Sequence, residues 1–259
     1  MSFAQLLHVS RICHSKGHYF QIIEEWDTKR KHLEVYQYDI PKLVDEYRSS
    51  KQKPYELNQS ITIVDSVPRL RLSSSCEAAS NCLYSMAEIA AQFGNKVSNG
   101  FIPSSFNKLR KKYEKGEFKN TSLKSLEINF EWYKRVRELR TEWSHYSTIF
   151  IGEDETRRPI ICVKSHRRVS DRIEFKENSQ IRINDLIDWI KQGIVLIDEF
   201  GNFLLQEYII PLLTPDLDTE LDDVARDING WPIIISPGRF KVVKTTVRDY
   251  IRKCGITFK

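Results

Sequence analysis

Apolar residues recur along this chain at steps of three and four over several long stretches, the spacing that lines one side of an α-helix. Trp132, Val136, Leu139, Trp143 and Tyr146 form one such stripe and predict a helix over residues 121–146. The run Cys76–Phe93 is rich in Ala, Leu, Met and Glu, all good helix formers. Ser74 and Glu77 stand before it at capping-box spacing, and Gly94-Asn95 supplies a C-terminal stop. A third stripe runs over residues 183–210, from Ile183 and Ile187 through Ile197 and Phe200 to Tyr208, with Pro211 ending it.

The remaining segments are weaker in pattern. Ile23, Trp26, Leu33, Tyr36, Ile40 and Leu43 predict one or two helices in the first stretch of about 50 residues, with Pro41 starting a second helix or kinking the first. Pro103-Ser-Ser opens a shorter basic helix that ends near Gly116. Ser147-Thr-Ile-Phe-Ile and Ile160-Ile-Cys-Val are β-prone and flank a turn-like GEDETRRP, so a hairpin is expected there. SHRRVSDR, residues 165–172, reads as a polar loop after it. A short strand is expected within residues 230–238, followed by a basic stretch to Lys259. The pattern divides into an N-terminal helical extension (1–60), a helical domain (61–212) and a C-terminal tail (213–259), mainly α with one small β insertion.

Composition narrows the function classes. No apolar run approaches the roughly 18–20 residues that span a membrane, and the first apolar stretch carries His8 and Arg11, unlike a secretory leader. Five cysteines, none in a CxxC pair, make a zinc site or a disulfide framework a poor fit, and the cytoplasm is the expected compartment. Cys76 and Cys82 fall on the predicted helix as small buried hydrophobes. His8, His14 and His18 have no metal-like spacing, and neither a metal nor a cofactor is expected. Phosphate loops, dinucleotide fingerprints, HExxH and nucleophile elbows are all missing from the sequence.

Charge is unevenly placed. Residues 104–172 carry 17 bases against 10 acids, whereas residues 173–225 carry 3 bases against 12 acids. A clustered basic block is the electrostatic footprint of a nucleic-acid ligand, and Lys134, Arg135, Arg137, Lys164, Arg167 and Arg168 are the candidate RNA contacts within it. The same block could instead be matched inside the molecule by the acidic region that follows.

The basic block contains Arg140-Thr-Glu-Trp-Ser-His145. Arg is a permanent cation that grips phosphate with two donors, and His moves protons near neutral pH. Arg140 sits at the edge of the apolar stripe, and His145 lies about 140° round an ideal helix from it. The pair meets only if the helix distorts near Ser144 or if two copies meet across a symmetric dimer. Thr141, Glu142 and Ser144 are placed to orient the two groups.

Arg140 and His145, with four residues between them at the end of the third of about four long helices, resemble the mark of the HEPN superfamily. The resemblance covers roughly residues 65–212 and includes the strand-prone insertion and the long last helix. It implies a HEPN-like bundle with a β-hairpin after the third long helix. It further implies a homodimer whose converging Arg/His pairs cut RNA without metal, a hydrolase of the toxin or phage-defence kind, with an antitoxin or other protein partner in some members. Thr141 stands where many active members carry Asn, Asp or His. Other members are non-catalytic modules that bind nucleotides or partners, and that alternative remains open here.

Overall fold

The computed structural model describes residues 20–51, 67–118, 121, 123, 126, 129–145, 147–156, 158–169, 172–175, 179–213, 217–229 and 231–253. The protein is mainly helical with a small antiparallel sheet, as the periodicity predicts.

Helix α1 (Phe20–Lys51) is a single helix. Ile23, Trp26, Leu33, Ile40, Leu43 and Tyr47 bury one face of it against α2 (Val67–Val97), in the same core that the later helices share. Pro41 neither starts a second helix nor ends the first. It lies inside α1 with its ring exposed. Arg30 of α1 donates from Nε to Asp198, at 3.1 Å, and fastens α1 to the last long helix.

Helix α2 is buried on most sides because α1 and two later helices all pack on it, and Ala79, Ala87, Ala90 and Ala91 let them come close. It starts at Val67, with Pro68 in the first turn, where a missing N–H removes nothing. The capping role expected for Ser74 is therefore overturned; that residue lies inside the helix. The stop also lies further on than Gly94-Asn95. Asn99 and Gly100 adopt positive φ (51° and 87°), and Gly100 N–H donates to Asn95 O at 2.8 Å, the closing bond of a Schellman motif. Gly94 instead serves packing, since a Cβ there would stand 3.1 Å from Ile102 and 3.2 Å from Phe200.

The short basic helix α3 (Phe106–Glu114) and its turn through Gly116 form as expected. Helix α4 (Glu131–His145) is shorter than the predicted 121–146. Asn129 accepts the Glu131 N–H on its side chain at 2.9 Å and so starts the helix there. Upstream, Thr121 turns back to donate to Phe118 O at 2.8 Å, a local bond that competes with helix. Leu123 is buried in a 3-10 turn rather than in α-helix.

The hairpin expected after α4 is present. Strand β1 (Ser147–Glu153) pairs antiparallel with β2 (Pro159–Val169), from Ser147↔Ser165 to Glu153↔Pro159. The sheet extends beyond it. Most of SHRRVSDR is strand where a loop was expected: β2 continues through Val169, and His166–Val169 pair with β3 (Arg172–Phe175). Strand β4 (Ser179–Arg182) pairs with β2 at Ile160–Val163.

Helix α5 (Ile183–Leu204) leads into a π-helical turn (Leu205–Ile209) and a short α6 (Ile210–Leu213). Pro211 therefore does not end the helix. It lacks an N–H and crowds the carbonyl four residues back, and the wider π turn, in which Ile210 N–H donates to Leu205 O, relieves that conflict. Two small two-stranded antiparallel sheets follow, β5 (Glu220–Val224) with β8 (Val242–Thr246) and, between them in the chain, the hairpin of β6 (Ile234–Ser236) with β7 (Arg239–Phe240). Helix α7 (Val247–Lys253) closes the described chain by burying Val247 and Ile251 in the common core.

Candidate functional site

Helix α4 buries Trp132, Tyr133, Val136 and Leu139 and leaves Trp143 half-buried, so the stripe points inward as its spacing predicts. Arg140 follows Leu139 and is exposed. Its guanidinium carbon lies 4.3 Å from the centre of the Tyr84 ring, over the face of a side chain presented by α2. Among the described side chains, which do not include Glu142, no carboxylate pairs with Arg140.

The platform under the guanidinium is built in layers. Tyr84 stacks on Tyr133 at 5.8 Å between centroids and 15° between planes. Tyr133 donates its hydroxyl to Glu88 Oε1 at 2.7 Å, and Glu88 Oε2 accepts the Phe106 N–H that begins α3. Burial, and then the hydrogen bond to Glu88, push the Tyr133 phenol far above its ordinary range, so it stays a donor at any physiological pH. Glu88 thus ties α2 to α3 and α4 while Tyr84, one turn earlier on the same face, meets Arg140.

His145 is the last residue of α4 and stands just ahead of β1. The side chains of Glu142, Ser144 and His145 lie outside the described residues, as do the histidines expected to lack metal-ligand spacing at positions 8, 14 and 18. Thr141 is exposed and donates its hydroxyl to Arg137 O at 2.8 Å. That proton is committed to the helix backbone rather than to the Arg140/His145 pair.

The candidate RNA contacts separate into groups. Lys134 pairs with Glu131 at 2.6 Å and Glu114 at 3.1 Å, and those hydrogen bonds, Glu131 first, hold its ammonium above the usual lysine value. Arg135 reaches Glu138 at 3.3 Å. Arg137 is exposed and, among the described residues, forms no ion pair. Lys164, Arg167 and Arg168 lie on β2 at register positions opposite Thr148, Glu174 and Ile173. The basic block is therefore neutralised within the molecule at Lys134 and Arg135 but not at Arg137.

Cys76 and Cys82 are free and buried, matching the expectation for them, and Cys162 is buried too. Burial raises the Cys76 thiol to about 12 and the Cys82 thiol to about 11. Cys82 donates to Lys29 O at 3.3 Å. Neither is a nucleophile at neutral pH. Among the described residues, no three His, Cys, Asp or Glu side chains gather where they could hold a metal ion. No helix among them is long and apolar enough to cross a membrane.

The sequence pattern missed Tyr84, Tyr133 and Glu88. A signal was present: Tyr84 and Glu88 are four apart on a helix and so share a face. Comparison with known protein families, with curated proteins and with solved structures finds no match.

Proposed function

We propose that the protein is an endoribonuclease of HEPN type, in which Arg140 and His145 cleave RNA without a metal ion. The 2′-oxygen attacks the adjacent phosphorus as its proton leaves to a base. The bond from phosphorus to the 5′-oxygen breaks, and that oxygen takes up a proton. The products are a 2′,3′-cyclic phosphate and a 5′-hydroxyl. Arg140 stabilises the charge that develops on the phosphate oxygens. His145 acts as base or acid, a role worth about 10²–10⁴-fold in rate.

The observation that carries this reading is the state of Arg140. An exposed guanidinium rests on an aromatic face with no carboxylate partner among the described side chains, five residues before the end of a long helix. An arginine serving only structure is expected to be satisfied by an acid, as Arg30 is by Asp198. The order of elements, long helices, strand insertion and closing helix, supports the same family. Because Arg140 and His145 lie on different sides of an ideal helix, the complete site is assigned to a homodimer, the commonest oligomer, in which the motif of each protomer meets its copy at a two-fold axis. Sedimentation equilibrium tests this part: only monomer at about 10 µM, with cleavage retained, rejects the composite site.

One observation favours the second reading, a non-catalytic module for nucleotides or a protein partner. The Thr141 hydroxyl donates to Arg137 O and so gives the motif no donor. Role in defence, a toxin's target and any antitoxin partner follow from the family resemblance alone and belong to this proposal. Assay of purified protein on total RNA in EDTA, against Arg140→Ala and His145→Ala, separates the two readings.

A further inference from the structure

A small cavity lies away from the motif, between the C-terminal half of α1, the turn joining β1 to β2, and the start of α5. Its polar lining is Arg48, Asp154, Arg158, Arg182 and Asn184, and its volume is about 60 Å³. That is several times what one water needs, room for a small oxyanion such as phosphate.

Three arginines from three separate elements meet at this cavity, and their charge is largely uncommitted. Among the described residues, neither Arg158 nor Arg182 forms an ion pair. Arg48 reaches Asp45 only at 4.0 Å, on an exposed surface. The single acid, Asp154, is occupied by its own turn. Its Oδ1 accepts the N–H of Thr156 and of Arg158, both at 2.9 Å, and the Thr156 hydroxyl at 2.7 Å. Arg182 is also the N-cap of α5, a helix of 22 residues, and its side chain makes no capping hydrogen bond. The open N–H groups of Ile183 and Asn184 add partial positive charge at the same place.

We propose that this cavity binds a phosphate monoester through Arg48, Arg158, Arg182 and the first turn of α5. The formal lining charge, three arginines against one aspartate, is +2. It matches the charge of about −1.5 to −2 on a phosphate monoester at pH 7 rather than the single charge of an internucleotide diester. Arginine forks grip such an oxyanion with paired donors. The three arginines are exposed, so the ester group of a bound phosphate extends into solvent. This site stands whether or not Arg140 and His145 cleave RNA, because it shares no residue with them.

Titration calorimetry of the full chain with inorganic phosphate, against chloride at equal ionic strength, tests it. Phosphate is expected to bind saturably, and Arg158→Gln and Arg182→Gln are each expected to weaken it at least tenfold. Both residues are exposed, so unchanged melting temperatures will show that the variants fold. Arg182→Lys is expected to fall between wild type and Arg182→Gln, because it keeps the charge and loses the fork. Phosphate heats no greater than those of chloride, or two glutamine variants that bind as wild type does, overturn the proposal. A 5′-phosphorylated RNA oligonucleotide that binds more tightly than its 5′-hydroxyl twin, through the same arginines, identifies the source as an RNA end. Equal binding of the two assigns the site to a small phosphate ester. The readout is binding, so failure of the nuclease proposal leaves it intact.

Discussion

The Arg140 guanidinium carbon stands 4.3 Å from the centre of the Tyr84 ring. An aromatic face attracts a cation without neutralising it, so Arg140 is oriented and, with no carboxylate partner among the described side chains, keeps its charge for a phosphate. A carboxylate in the place of Tyr84 would orient Arg140 as well and cancel that charge. The cation–π contact at an exposed site contributes about 0.5–1 kcal/mol. Tyr84→Leu is therefore expected to cost RNA affinity or cleavage roughly two- to fivefold, while Tyr84→Phe retains both. Filter binding on the three proteins checks this, and a Tyr84→Leu variant equal to wild type would remove Tyr84 from the site.

The pairing of the basic block predicts unequal salt effects. Lys134 is already held by Glu131 and Glu114, and Arg135 by Glu138. Arg137→Gln is expected to lower the slope of log K against log salt by about one, and Lys134→Gln by distinctly less. RNA binding measured across a salt series distinguishes them. Equal slopes for the two variants would mean that the internal ion pairs open when RNA binds.

Gly193 of α5 meets Leu83 of α2 and Trp132 of α4. A Cβ added there would stand 2.5 Å from Leu83 Cδ1 and 3.2 Å from Trp132 Cζ3. Leu83 is fully buried, so its side chain cannot swing out to solvent to make room. Alanine helps an isolated helix by about 1 kcal/mol, but overpacking a filled core costs about 1–3 kcal/mol. Gly193→Ala is expected to lower the melting temperature. A higher one would show that the three helices can move apart at no cost.

Two buried thiols predict alkaline sensitivity. Burial raises Cys76 from 9.0 to about 12 and Cys82 from 9.0 to about 11. A group whose pKa is raised by folding stabilises below its unfolded value and loses that contribution as pH climbs through its folded value. Stability is thus expected to be level up to about pH 9 and to fall from there towards pH 11–12. Melting curves in reductant should show a shallower decline for Cys76→Ala. Thiol reagents should leave both residues unmodified at pH 7.5 until the protein unfolds.

Much of the fold could be read along the chain, because a helical stripe is a local property. The burial of Trp132, Val136 and Leu139, the hairpin at β1 and β2 and the long α5 all follow from spacing. The boundaries did not. Asn129 starts α4 by a local hydrogen bond, and Asn99-Gly100 ends α2 by positive φ, while stronger-looking signals at Thr121 and Gly94 have other uses. Residues 166–169 became strand because β3 pairs with them, a partner that no local pattern supplies. Arg140 could be found from its motif, but Tyr84 and Glu88, which arrange its surroundings, lie more than 50 positions away and only the packing of α2 on α4 joins them.

Cleavage of RNA in excess EDTA by wild type, Arg140→Ala and His145→Ala tests the central claim most directly. Wild type is expected to cut and leave a 2′,3′-cyclic phosphate. Both variants should lose about 10²-fold or more in rate while staying folded. His145→Ala should still bind RNA, because the cation remains. Arg140→Ala should bind more weakly and with a shallower salt slope. Variants that cut as wild type does, or a wild-type reaction that EDTA stops, would contradict the account.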